Sequence, residues 1–462
     1  MEQRIETKSF IGAKPPTFEP ITLSALDHLL SPIHLFAYFT FHVNRPSDAI
    51  PVLENGLSRL FDALPFLTGD IETLPHLNGK QNVMQMRPTD AVTLAESPML
   101  RIVHHQTKAS AVERDSAEHT DYVPIPIPMI APDPSPVARF QANIMQDGVV
   151  LCMAFDHRVM DGLGVIAILE SLAACCRGDA ALTTMASQLQ KKQQIASITS
   201  STPFHDQEGF GTEPRIPVHP ISRKFSLSAD KISQLKKICN SLTPAGSNIS
   251  LTNGDIAAAI ISISVMRAIQ EASPSLPKDA TAKMNYIVDG RSILQPHLGR
   301  YIGNTLMPGR LSFSHDAMKR NALNDLADIS LIYNVASSLR SEVQSISAEQ
   351  ICSLVSHINN LDDWGSFQGQ FPDFLVSSLR AFPVYAWDWG HVLGKMANLD
   401  MPDPRLNGAC WVMPAKAVPG SNKAPPYELR IVLEERIIEC LRREPLFCWA
   451  SDASQTNGSA KL

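Results

Sequence analysis

The chain has 462 residues, of which 44% are hydrophobic and 19% charged, and a net charge of −6. That length predicts about two to three domains with room for buried cores, and the balance is that of a slightly acidic globular protein. Lys and Arg are not clustered enough to grip a nucleic-acid backbone, and no run of about eighteen apolar residues is present to span a membrane.

The opening "MEQRIETKSFIGAKPP" lacks the apolar core of a secretion signal, and the eight cysteines form no C-x-x-C pair, so reduced thiols and an intracellular protein are expected. The first strong element is the apolar run 149–155, which has the length and composition of a strand buried on both faces. From Leu163 onward, Val165, Ile166, Leu169 and Leu172 recur at helical spacing, so a helix follows. Between them lies "DHRVMDG", a strand-to-helix loop with His157 at its mouth. The stretch around "TTMASQLQKKQQIA" reads as helical and its Lys191-Lys192 pair as a solvated face. It gives way to Ser, Thr, Gly and Pro without apolar periodicity, and residues 184–220 are expected to be the crossover between two halves.

Interleaved elements return in the second half. "ADKISQLKKIC" is amphipathic through Ile232, Leu235 and Ile238, and Thr252 followed by Asp255 forms a capping box before a helix apolar nearly all round. "TAKMNYIVDGRS" alternates through Met284, Tyr286 and Val288, while "YELRIVLEERIIECLRRE" changes from alternation to helical spacing. The class expected is therefore α/β (α+β) with mixed sheets. Beyond Trp449 the tail is polar and expected to be disordered; its last residues, Ala460-Lys461-Leu462, read either as a peroxisomal address or as a chance ending, leaving cytoplasmic and peroxisomal locations open.

About one His-x-x-x-Asp pair is expected by chance in a chain of this make-up, so His157 and Asp161 also fit a core histidine and a helix cap. Their junction favours chemistry. Functional groups gather where strands meet helices, Asp156, Arg158 and Asp161 would keep the imidazole wet, and a neutral imidazole both takes and returns a proton near pH 7. With no G-x-S-x-G elbow, direct transfer is favoured over a covalent intermediate.

Six ordered landmarks then give the chain a resemblance. "ITLSALDHL", "HRVMDG", "LTNGDIAAAI", "VDGRS", "YIGN" and "DWGHVLGKM" resemble, in that order, the L-S-x-L-D, H-x-x-x-D-G, T-N-D, D-x-R, Y-x-G-N and D-F-G segments of BAHD-type acyl-CoA-dependent acyltransferases, most closely the fungal secondary-metabolite branch with its trichothecene O-acetyltransferases. The resemblance implies two chloramphenicol-acetyltransferase-like domains, 1–183 and 221–449, with a channel between them and a tail at 450–462. It implies His157 as catalytic base, Asp161 as a structural partner paired with Arg291, and Asp388, with Trp389 and Gly390, as an architectural motif. Ser377 and Ser378 correspond to the coenzyme A side of the channel, or are ordinary strand serines. Three departures stand out: Met396 replaces a proline, Leu379 a tryptophan, and Gly254 separates Asn253 from Asp255.

The implied activity is acyl transfer, acetyl by default, from acyl-CoA to the hydroxyl of a terpenoid, alkaloid or polyketide. The expected enzyme is a monomer with no permanent cofactor and no metal. A dihydrolipoyl acyltransferase core also carries D-H-R-x-x-D-G, but near its C-terminus, whereas here the motif lies in the first half of the chain. The non-enzymatic alternative is a degenerate scaffold that binds a metabolite or a partner.

Overall fold

The computed structural model describes residues 5–8, 17–113, 120–126, 131–204, 219–244, 246, 248–274, 281–318, 325–367, 372–401, 406–418 and 420–451. The Ala460-Lys461-Leu462 ending and residues 205–218 of the expected crossover lie outside them.

Among the described residues the strands form three sheets. The first has six strands in the order Ile5–Lys8, Leu100–His104, Ala138–Ile144, Gly148–Asp156, His34–His42 and Asn398–Asp400. The second, also six-stranded, runs Ile221–Leu227, Tyr427–Leu433, Ala409–Val412, Phe374–Ser378, Thr281–Asp289, Leu306–Ser314. A smaller four-stranded sheet is built around the hairpin Asp70–Leu77/Lys80–Arg87. Parallel and antiparallel pairings coexist in both large sheets. The fold is thus mixed α/β, as the alternation of periods predicts.

The apolar run predicted at 149–155 is the strand Gly148–Asp156, paired on both edges and buried along its whole length because Val149, Leu151, Met153 and Phe155 pack in one hydrophobic cluster and Val150, Cys152 and Ala154 in another. Its chain continues into the helix Gly162–Arg177, whose buried face carries Val165, Ile168, Leu169 and Leu172. The capping box of Thr252 and Asp255 starts the helix Asn253–Ala272, and every residue from 255 to 268 is buried. In the helix Ala229–Ser241 the core positions are Ile232, Leu235 and Cys239, not Ile238, which is half-buried. A helix, Met185–Ala196, fills the first part of the crossover. All eight cysteines are free thiols, and among the described residues no helix is long and apolar enough to cross a membrane.

The two large sheets are not independent. Residues 387–401 leave the second sheet as an arm and join the core of the first: Trp389 is fully buried there, its ring edge-on to Phe41 at 5.0 Å. A tight turn presents that ring. Trp389 N–H donates to Gly394 at 2.7 Å, and Gly390 takes φ +94, a value that favours glycine. The arm ends as the strand Asn398–Asp400, paired with Tyr38, Phe39 and Thr40 at the edge of the first sheet. Asp400 closes it with an ion pair to Arg430 of the second sheet, 2.6 Å from each carboxylate oxygen. Burial would raise the Asp400 pKa, but the Arg430 and Lys224 charges outweigh it and hold the carboxyl below its ordinary range. We expect Trp389→Ala to cost about 3–5 kcal/mol, as loss of a buried aromatic does, with a lower urea midpoint as the readout.

Candidate active site

His157 follows the last residue of the Gly148–Asp156 strand, and its backbone N–H donates to Ile33 at 2.9 Å. Five residues then turn the chain into the helix that Asp161 caps by accepting from Gly164 N–H at 3.0 Å. The ring of His157 is partly exposed and lines a cavity of about 130 Å³ where the two large sheets face one another. Its Nδ1 lies 3.1 Å from the Met160 carbonyl. A carbonyl only accepts, so Nδ1 carries a proton, and in the neutral ring the lone pair is therefore on Nε2. One imidazole thus has a fixed tautomer and a basic nitrogen.

The cavity wall is mostly apolar. Leu35, Phe39 and Phe155 come from the first sheet, Ile166 and Leu169 from the helix, and Leu379 and Trp411 from the second half. Among the described residues the polar lining is His157, Asp289, Ser377 and Ser378. The two serines end the strand Phe374–Ser378 and so meet His157 around one space, although about 220 residues of chain separate them. Ser378 also hydrogen-bonds Tyr286, whose phenol pKa is raised, chiefly by burial. Leu379 packs its Cδ2 close to Gly162, 3.1 Å from the place a Cβ would take.

Asp161 turns away from the ring. Fully buried, it receives Arg291 in a bidentate pair, Nη1 to Oδ2 at 3.0 Å and Nη2 to Oδ1 at 2.8 Å, and Thr305 N–H at 3.1 Å. Arg291 further donates to Asp289, Thr305 and the carbonyls of Tyr301 and Gly303. Burial works against this guanidinium's charge, yet the Asp161 and Asp289 carboxylates prevail and its pKa is raised. Loop and helix approach closely here because Gly164 has no side chain: a Cβ would sit 2.0 Å from the Ile302 carbonyl oxygen.

Two sequence expectations change. Asp156 and Arg158 do not bathe the imidazole; they are buried and paired with each other at 2.7 Å, while Ser135 donates to Asp156 at 2.8 Å. Lys192 is not on a solvated face, since its ammonium reaches Asp27 at 3.2 Å in a mostly buried pair. Asp388 is exposed and absent from the cavity wall; its carboxylate accepts from Gly390 N–H at 3.0 Å and its carbonyl from Arg177. Gly390 and His391 instead border a separate surface depression beside Arg177.

Sequence reasoning did not single out Asp27, Asn304, Asp289 or Trp411. Asp27 and Asn304 stand inside two of the quoted landmarks, but no spacing reveals that residues 277 positions apart share a hydrogen bond. Next to Asp27, buried His28 donates through Nδ1 to Ser24 and accepts Met84 N–H at Nε2, both at 2.9 Å. Burial, only partly offset by the Ser24 bond and the Asp27 charge, lowers its pKa from 6.5 to about 4. The stabilisation from neutral His28 is complete above pH 6.5 and is lost as pH falls through about 4. Urea titrations across that window should show a shallower loss of stability for His28→Gln.

Comparison with known proteins follows the same lines. Residues 4–424 match the Transferase family. The fumigaclavine B O-acetyltransferase of Aspergillus fumigatus is 30% identical, covering 96% of this chain and 99% of its own length. The communesin N16 acyltransferase of Penicillium expansum is 29% identical over 94% and 98% of the two chains. Among solved structures, TRI101 of F. graminearum, complexed with coenzyme A and deoxynivalenol, is similar with a TM-score of 0.75 and 18% identity over 94% of this chain and 99% of that one. Vinorine synthase follows at 0.65 and 15%, covering 98% of each chain.

Proposed function

Since the chain belongs to the Transferase family, the BAHD-type acyltransferases, we propose that it transfers an acetyl group from acetyl-CoA to a hydroxyl of a hydrophobic secondary metabolite, with His157 as general base. It is an acyltransferase, and acyl-CoA is its co-substrate. The observation that carries the proposal is the ring of His157 on an apolar cavity wall, its Nδ1 tied to Met160 and its Nε2 free to accept a proton.

The acceptor hydroxyl gives its proton to Nε2 as its oxygen attacks the thioester carbonyl. The tetrahedral intermediate collapses, the carbon–sulfur bond breaks, and the departing thiolate takes the proton back from the imidazolium. The product is an ester and the imidazole is again neutral. Ser377 and Ser378 supply polar contacts on the coenzyme A side. Asp161 and Arg291 hold the loop without touching substrate, and Asp388 maintains the turn that seats Trp389. In this reading the working unit is a monomer, with residues 1–183 and 221–449 as the two walls of the cavity.

The experiment is incubation with acetyl-CoA, longer acyl-CoAs and a panel of terpenoid, alkaloid and polyketide alcohols, followed by mass spectrometry. Acceptor-dependent formation of free coenzyme A together with an acyl mass increment is expected. Binding of an alcohol with no coenzyme A released above background would mark a binding scaffold instead.

A further inference from the structure

One segment of the second half holds both ends of the His157 loop. Arg291 grips Asp161 at the far end. At the near end the Asn304 side-chain amide donates to the carbonyls of His157 and Arg158, each at 3.0 Å. The same Nδ2 reaches Asp27 Oδ1 at 3.0 Å, and the Asn304 backbone N–H donates to that oxygen at 2.8 Å. The other oxygen of Asp27 accepts the Ser24 N–H and hydroxyl, both at 2.8 Å, and the Lys192 ammonium at 3.2 Å.

Asn304 and Asp27 are fully buried. The three hydrogen-bond partners of Nδ2 are all acceptors, so the amide has one orientation that fits. Its oxygen, Oδ1, is buried with no partner among the described residues, which costs stability relative to an apolar residue of the same shape. What this side chain gives in return is direction. It fixes the two peptide groups that follow the imidazole-bearing residue, and Met160 of the same loop holds that ring by Nδ1. A tilt of those peptides would carry Nε2 with it.

We propose that Asn304, clamped by Asp27, is a positioning residue for His157, and that Lys192 of the crossover helix completes the device by neutralising the buried Asp27 carboxylate. This rests on the reading of His157 as the base. A misplacement of about 1 Å at a reacting group can cost on the order of 10²-fold in rate, which sets the effect to look for.

The test uses the full chain with ¹⁵N-labelled histidine, the His157 signals being assigned by their loss in His157→Ala. In the wild type a single tautomer, protonated at Nδ1, is expected; in Asn304→Ala the two ring-nitrogen shifts should move toward each other as the tautomers mix. Turnover of acetyl-CoA with the alcohol that supports it should fall by about 10²-fold in kcat, with KM for acetyl-CoA held within about threefold. Asp27→Asn, which nearly preserves shape, should move both readouts in the same direction by less, and it serves if Asn304→Ala does not fold. Unchanged His157 signals in a folded variant, or a loss confined to KM, would overturn the proposal. Should His157→Ala itself keep normal turnover, the base assignment fails instead, an outcome separate from the NMR result.

Discussion

His157→Ala is expected to lower kcat by about 10²–10⁴-fold, the usual contribution of a positioned general base, while unfolding close to the wild-type temperature. The ring is partly exposed at the cavity, and its one assigned bond is local, to Met160 three residues away. Removing it therefore leaves the buried ion pairs beneath the loop intact. Steady-state rates with acetyl-CoA, read beside a thermal melt, separate chemistry from folding. Near-normal turnover in the folded variant would remove His157 from the mechanism.

A large loss of stability is expected from Arg291→Met. This guanidinium is the shared counter-ion of Asp161 and Asp289 and also satisfies the carbonyls of Tyr301 and Gly303. Deleting one member of a buried pair leaves a charge without compensation, at a cost of about 3–5 kcal/mol. Since Asp161 caps the helix that carries one wall of the cavity, activity should fall with stability. Asp161→Asn in the same chain removes the stranded charge, so the double variant should lose less than the sum of the two single changes. Urea denaturation of the four proteins measures this directly, and strict additivity would show that the pair is not coupled.

Much of this arrangement could be read from local pattern. The strand at 148–156 and the helices at 162–177 and 253–272 follow from apolar period and caps, which act over a few residues and so are written in short windows. The mixed sheets follow from their alternation. Long-range pairing is a different kind of information. The partners of Asp27 are Ser24, Lys192 and Asn304, and only compaction of the chain determines that they meet. For the same reason Lys192 looks solvated in a glutamine-rich helix until Asp27 is placed beside it. Asp156 and Arg158 look like polar neighbours of the imidazole, yet the interior of the sheet turns them toward each other. The family resemblance named Arg291 as the partner of Asp161, a pairing that hydrophobic periodicity could not supply.

The edge strand Asn398–Asp400 has a bearing on synthesis. On the ribosome, His34–His42 emerges early, but the backbone groups that later pair with Leu399 have nothing to bind until the chain is almost finished. At a translation rate of about 5–20 residues per second, that delay is on the order of 20–70 s. During this time the nascent chain presents an apolar strand with a bare flank, a template for association with other chains. A gene severed in the crossover would give a first fragment that lacks the native partner of that flank, Asn398–Asp400.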